Sequence, residues 1–287
     1  MSEEPLQYMP MERWEELEKV FATDWPRSIS AQAALQTQKQ LETLGLGYGF
    51  KVYCPYGDPQ NGIVAMNKKG ELMEIIVQCP DDDTTTLKTS LFTTKLIDWS
   101  DVILIPFMPE NIRRIVAEVA PQVNVEMVAE DTVPNQMFIF DFESKPLFDN
   151  NSIPEDVTIQ PVSENDLEIV NSTWRNSYNG SMWLFDTLAK ANFGYGVFKN
   201  HELVSWVFVN EVGALTHLYT LNEHRRMGFA EILLKQVCNT RLRENKNVFA
   251  YCRKGNTNAC KLYEKLDFKA HHEVRWCFLK PKMELSK

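Results

Sequence analysis

Several features are missing from this chain of 287 residues, and each absence removes a class of protein. No apolar run approaches ~20 residues, so no membrane-spanning helix is expected. The first residues, Met1-Ser2-Glu3-Glu4-Pro5, carry neither a basic stretch nor an apolar core, so they do not read as a secretory signal. Positive charge is not in excess. Lys plus Arg number 30 against 39 Asp plus Glu, a formal net charge of −9. That balance argues against a general nucleic-acid or anionic-membrane binder. None of the six cysteines (Cys54, Cys79, Cys238, Cys252, Cys260, Cys277) falls in a C-x-x-C pair. They read as free thiols in a reducing compartment, not as a disulfide frame or a zinc site, and no metal is expected. Low-complexity segments and internal sequence repeats are also lacking.

What is present suits a globular α/β protein. Hydrophobic residues make up 44% and aromatics 11%, ample for a buried core. The length allows two domains. The expected division is a first α/β domain over 1–142, a polar linker over 143–156 with Pro146, Asn150, Asn151 and Pro154, and a second domain over 157–287. In the first domain, Pro10–Ala22 and Ser30–Leu44 pattern as helices. Ile63–Met66 and Leu72–Gln78 flank a hairpin signal, and Val123–Ala129 with Met137–Phe142 reads as another strand pair. Asp81-Asp82-Asp83 reads as a solvated loop. In the second domain, Val157–Pro161, Gly194–Lys199, Leu203–Val209, Ala214–Thr220 and Val248–Tyr251 read as strands. Glu164–Tyr178, Leu184–Ala191, Phe229–Glu244 and Asn256–Leu266 read as helices, and Phe268–Ala270 with Val274–Leu279 as a closing strand pair. The fold class is α/β (α+β), a mixed, mostly antiparallel sheet flanked by helices.

The segment richest in chemistry is Arg225-Arg226-Met227-Gly228-Phe229-Ala230. It lies between the strand pattern Ala214–Leu221 and a helix with Ala230, Leu233, Leu234 and Val237 at i, i+3, i+4, i+7. Gly228 lets backbone approach a ligand, and Ala230 keeps the next turn small. The first amides of a helix lack internal partners and carry the positive end of its dipole. Strand, glycine turn and helix start together form an anion cradle, flanked by two arginines.

Further along comes Asn256-Thr257-Asn258-Ala259-Cys260-Lys261-Leu262-Tyr263-Glu264-Lys265-Leu266-Asp267-Phe268. With this second run the chain resembles the GNAT superfamily of CoA-dependent N-acyltransferases over about residues 157–280. R-x-x-G-x-A is that superfamily's CoA pyrophosphate motif, and N-x-x-A-x-x-L-Y-E-K-L-x-F its second signature. A looser resemblance covers nearly the whole chain. Ile97-Asp98-Trp99, Val204-Ser205-Trp206, Gly213 and Thr220-Leu221-Asn222-Glu223-His224-Arg225 are similar to the glycine N-acyltransferase-like family. In that family the N-terminal domain is taken as a degenerate copy of the same fold.

The resemblance implies an acyl-CoA donor and an amino acid or other small amine as acceptor. It places Leu218, Tyr219 and Thr220 beside the thioester arm. Arg225, Arg226, Met227, Gly228, Phe229 and Ala230 would hold the pyrophosphate, with Asn256 and Ala259 on the CoA side. Tyr263 matches the tyrosine that donates to the leaving sulfur. The family's strand-start glutamate falls on Ala214, which accepts no proton. His217, Glu211 and Glu223 lie near; His217 is the candidate base, against a packed strand histidine with water carrying the proton out. Its parity puts it on the face opposite Ala214 unless a bulge intervenes. At Asp267 the motif usually has Gly, and Asp tolerates left-handed φ. Cys252 and Cys260 read as buried structural thiols. Two other readings stand beside small-molecule acylation: a protein N-acetyltransferase, and an acyl-CoA binder that has lost its chemistry. Nucleic-acid and membrane partners are not expected. Cytoplasm is the expected compartment, with mitochondria the alternative set by the glycine-conjugating relatives.

Overall fold

The computed structural model describes residues 3–70, 72–128, 134–140, 148 and 153–282. Its strands are β1 (Leu6–Met9), β2 (Lys51–Pro55), β3 (Ile63–Lys69), β4 (Leu72–Gln78), β5 (Ile103–Met108), β6 (Val125–Met127), β7 (Pro134–Phe140), β8 (Val157–Pro161), β9 (Gly194–Lys199), β10 (Glu202–Val209), β11 (Leu215–Thr220), β12 (Val248–Arg253) and β13 (Phe268–Pro281). Its α-helices are α1 (Trp14–Phe21), α2 (Ile29–Thr43), α3 (Thr85–Thr93), α4 (Glu110–Val119), α5 (Leu167–Thr173), α6 (Ser181–Lys190), α7 (Phe229–Arg243) and α8 (Thr257–Lys265).

The element order runs twice through one pattern. β1–α1–α2–β2–β3–β4–α3–β5–α4–β6 is followed, after β7, by β8–α5–α6–β9–β10–β11–α7–β12–α8–β13. No sequence repeat announced this, because backbone topology survives when paired side chains diverge. Compactness divides the chain into two units that no single cut separates. Unit 1 holds 1–35, 47–136 and 272–287; unit 2 holds 36–46 and 137–271. Unit 1 thus takes the end of β13 from the second pass, and unit 2 takes the end of α2 from the first. Of the expected linker, only Phe148 and 153–156 lie within the described residues.

In unit 1, β1 to β4 run antiparallel and β5 lies parallel to β4, with Met73 opposite Ile103. β13 adds antiparallel to β5, with Cys277 opposite Ile105, and β6 pairs β13 through Leu279 opposite Met127. The strands expected as a pair near residues 123–142 therefore part: β6 joins β13, and β7 neighbours β12. The expected closing pair is one continuous strand, since backbone pairing carries β13 through the polar His271-His272-Glu273. Helix α4 buries Ile112, Ile115, Val116 and Val119 at helical spacing into a core that includes Val64, Ile75, Val77, Leu91 and Ile103.

In unit 2, β8, β9, β10 and β11 run antiparallel, and β12 lies parallel to β11. Helix α5 ends at Thr173, short of the expected Tyr178. Ser163 and Asp166 form the capping box that starts this helical segment. Helix α6 buries Leu184, Phe185 and Leu188. Helix α7 buries Phe229, Leu233, Leu234 and Val237, so the apolar stripe starts one residue before Ala230. The architecture is the expected one: a mostly antiparallel mixed sheet flanked by helices.

Candidate active site

In unit 2, the β11–β12 ladder has one register pair, Leu215 opposite Ala250. Among the described residues, β11 from Thr216 to Thr220 has no β12 partner. The two parallel strands splay, and one edge of β11 offers amides and carbonyls to an extended ligand. Ser205 on β10 closes the other side. Its Oγ donates to the Tyr219 carbonyl at 2.8 Å and stands 2.8 Å from Thr220 Oγ1. Leu218, Tyr219 and Thr220 all sit half-buried on this splayed segment.

The chain leaves β11 through a 3-10 turn at Asn222–His224 and reaches the expected cradle. Arg226 takes φ +65 and Gly228 φ +84, ψ −1, so Gly228 is the left-handed cap of α7. The first bond of the helix is Ile232 N–H to the Gly228 carbonyl, 3.0 Å. The amides of Phe229, Ala230 and Glu231 therefore face out of the helix start. A Cβ built on Gly228 meets no protein atom within 4 Å, so open space lies above this glycine. Arg225 is pinned beside it: Nε donates to the Thr220 carbonyl at 3.1 Å, and Cζ lies 5.4 Å over the Tyr219 ring. Met227 is 48% exposed at the rim. Glu231, on the first turn of α7, carries a negative charge that would oppose an anion. Lys265 and Lys235 both pair with it and hold its carboxyl below the usual range. An open space, a splayed edge, outward amides and an arginine together fit a pyrophosphate with an extended arm.

His217 departs from expectation. Trp206 pairs Tyr219 while Phe208 pairs Thr216, so β11 carries one extra residue. His217 adopts φ +49 at that bulge. Phe208 faces Phe185 of α6, and the His217 ring lies against Phe185 and Trp174. Thr216 opposes Phe208, and Ala214 lies two residues earlier on the same face. The bulge thus brings His217 onto the face that parity alone denied it. Its Nε2 is 2.7 Å from the Val170 carbonyl, and burial pulls its pKa down to about 4. The ring is neutral at pH 7. Nε2 must carry the hydrogen, and Nδ1 keeps a free lone pair. Glu211 is buried, and its carbonyl accepts from Gln38 Nε2 at 2.8 Å. Glu223 is exposed in the turn.

Asn256 caps α8, its Oδ1 accepting from Ala259 N–H at 3.3 Å. Tyr263, on the buried face of α8, stacks on Phe138 at 5.3 Å and tilts against Phe268 at 5.1 Å. It is 5% exposed, and desolvation raises its pKa further above 10, so the phenol stays protonated. Asp267 takes φ +66, the left-handed conformation expected there. Sequence patterns did not mark the aromatic wall around His217, made by Trp174, Phe185, Trp206 and Tyr219. These residues come from four separate segments, and only the fold gathers them.

Unit 1 differs at the corresponding turn. Between β4 and α3 it has Cys79–Thr84 in place of the arginine–glycine loop. Asp81 Oδ1 accepts the amides of Asp82 at 2.6 Å and Asp83 at 3.2 Å, and Asp83 accepts from Thr85 N–H at 3.0 Å. Carboxylates thus already take the Asp82, Asp83 and Thr85 amides of this turn. Gln78 Nε2 also reaches the Phe107 carbonyl at 3.4 Å, from β4 across to β5. Among the described residues no cluster of three or more His, Cys, Asp or Glu is placed to hold a metal ion. No helix among them is long and apolar enough to cross a membrane.

Comparison with known proteins bears on the fold and on one stretch of the chain. Residues 194–277, which carry the splay, the cradle and Tyr263, match the family model described as FR47-like protein. A Drosophila protein of known structure superposes with a TM-score of 0.83 at 17% identity, covering 98% of this chain and 100% of its own. A GCN5-related N-acetyltransferase from Sphaerobacter thermophilus gives 0.56 at 14% identity, covering 98% and 97%. A tandem GNAT protein from the clavulanic acid biosynthesis pathway gives 0.58 at 9% identity, covering 97% and 99%. No curated protein matches the sequence. The fold is that of the GNAT acetyltransferase superfamily. The chain runs twice through one element order, and residues 194–277 match the FR47-like model.

Proposed function

We propose that unit 2 is an acyl-CoA-dependent N-acyltransferase acting on the amine of an amino acid or other small molecule. The observation that carries this reading is the unpaired β11 edge, followed along the chain by a left-handed Gly228 with open space above it. Acyl-CoA would supply an activated thioester carbonyl. The amides of Phe229, Ala230 and Glu231, with Arg225 and Arg226, would hold its pyrophosphate. The β11 backbone from Leu218 to Thr220 would pair with its arm and face the developing oxyanion. His217 Nδ1 would accept the proton that the amine sheds as it bonds to carbon. Its lowered pKa keeps the ring unprotonated and its Nδ1 lone pair available at pH 7. Tyr263 would donate to the departing sulfur. Its raised pKa makes it a hydrogen-bond donor to the thiolate, with full proton loss disfavoured.

Titration calorimetry with CoA, acetyl-CoA and a longer acyl-CoA tests the reading. Micromolar binding that Arg225→Ala weakens would support it. No binding at millimolar ligand would sink it. Turnover of free amino acids against that of peptides then separates small-molecule from protein acceptors.

A further inference from the structure

Two thiols that the proposed transfer does not use lie together in unit 2. Cys252, near the end of β12, and Cys260, on the second turn of α8, have their sulfurs 3.4 Å apart. They bracket the turn that carries Gly255 at φ +96 and the Asn256 cap. Cys252 is buried, and desolvation pushes its thiol up to about 12. Cys260 is only half-buried, which corrects its reading as a buried structural thiol. The two sites differ as an attacking and a resolving thiol should: one is reachable from solvent and the other is held protonated within contact distance of it.

We infer that Cys252 and Cys260 form a thiol-modification site that takes low-molecular-weight disulfides and closes into an intramolecular disulfide. The thiolate of Cys260 attacks one sulfur of a disulfide such as oxidised glutathione. The old S–S bond breaks, a Cys260–glutathione bond forms, and one glutathione leaves as thiolate. Cys252 then loses its proton and attacks the Cys260 sulfur, expelling the second glutathione. Two protein thiols lose two electrons and two protons, and one oxidised glutathione becomes two reduced ones. The sulfurs need to close from 3.4 Å to about 2.0 Å.

The movement draws the first turns of α8 toward β12. Tyr263 follows Cys260 by three residues on that helix, on a neighbouring part of the same face. Oxidation therefore alters the surroundings of Tyr263 and loosens the Asn256 cap. The disulfide itself does not depend on the acyltransferase reading; only its effect on turnover does.

The test uses the full chain with millimolar oxidised glutathione, read by intact mass and tryptic mapping. Trypsin places Cys252 in Asn247–Arg253 and Cys260 in Gly255–Lys261, so a linked pair of peptides identifies the bond. The expected result is loss of two hydrogens and that linked pair, reversed by dithiothreitol. Cys260→Ser should give neither product, and Cys252→Ala should stop at a single glutathione adduct on Cys260. Cys252 is buried, so Cys260→Ser is the control that stands if the Cys252 variant fails to fold. Six free thiols persisting in the folded protein, while a urea-unfolded sample oxidises, would overturn the inference. A stable adduct on Cys260 of the unmutated chain would overturn it too. If CoA affinity and turnover drop at least about tenfold with the linked peptide present, the site controls the transfer reaction. Linkage with unchanged turnover would leave the thiol site standing and remove its effect on Tyr263.

Discussion

The carbonyl of Val170 and Nε2 of His217 lie 2.7 Å apart, which fixes the imidazole as a donor at that nitrogen. The contact joins the end of α5 to the bulge in β11. It leaves Nδ1 as the lone pair available to chemistry. Among the wall of Trp174, Phe185, Trp206 and Tyr219, the ring is kept uncharged.

A stability profile follows from that burial. The native ring titrates near pH 4 and an unfolded one near 6.5. Between these values the unfolded chain binds the extra proton, so stability falls as pH drops from 6.5 to 4 and the loss levels off below 4. The cost amounts to about 3 kcal/mol if the full shift is expressed. Urea unfolding of wild type and His217→Gln across this window checks it. The variant should lose this share of the slope. In the same range, an activity limb from His217 should fall near pH 4. A limb near 6.5 that vanishes in His217→Gln would contradict the depressed pKa.

Gly228→Ala separates folding from binding. The new Cβ touches no protein atom, so the cost is conformational, about 1 kcal/mol for alanine at positive φ. Thermal unfolding should register that small loss. CoA affinity should fall tenfold or more, because the methyl fills the space a phosphate must approach. A variant that unfolds readily yet binds CoA unchanged would move the cradle elsewhere.

How much of this was legible beforehand depended on the range of the interaction. The cradle is local: an arginine, a glycine and a helix start within six residues specify it, and Gly228 takes the backbone that role requires. Asn256 capping Ala259 is equally local. The face of His217 was not legible. Alternation predicts side by parity, and one extra residue in β11 inverts it without a turn residue to mark the spot. The partners of β6 and β13 were missed for a related reason. Hairpin logic favours sequence neighbours, whereas β13 reaches β5 from more than 150 residues away. Two thiols eight residues apart showed no motif, yet a turn and a helix bring their sulfurs to 3.4 Å.

Unit 1 makes a prediction about stoichiometry. Its repeated element order raises the question of a second CoA site. However, Asp81 takes the amides of Asp82 and Asp83 just before α3, and Asp83 takes that of Thr85. Arg27 and Thr85 hold the Asp82 and Asp83 carboxyls below the usual range, so this turn is acidic where the other carries arginines. Calorimetry should therefore give one CoA per chain. Arg225→Ala should weaken that single transition and reveal no second one. A residual second transition would show that the acidic loop rearranges.

Tyr263 presents the sharpest choice between packing and chemistry. Its ring stacks on Phe138 and leans on Phe268, contacts that phenylalanine would preserve. Removing the hydroxyl from so buried a position leaves the apolar packing intact, so Tyr263→Phe should stay within about 1 kcal/mol of wild type. If the phenol donates to the departing sulfur, kcat should fall by about 10²-fold or more with little change in KM. The loss should be smaller for a thioester whose thiol is more acidic, since a better leaving group needs less help. Equal loss with both donors, or full turnover in the variant, would return Tyr263 to the core and leave the sulfur to the backbone of β11.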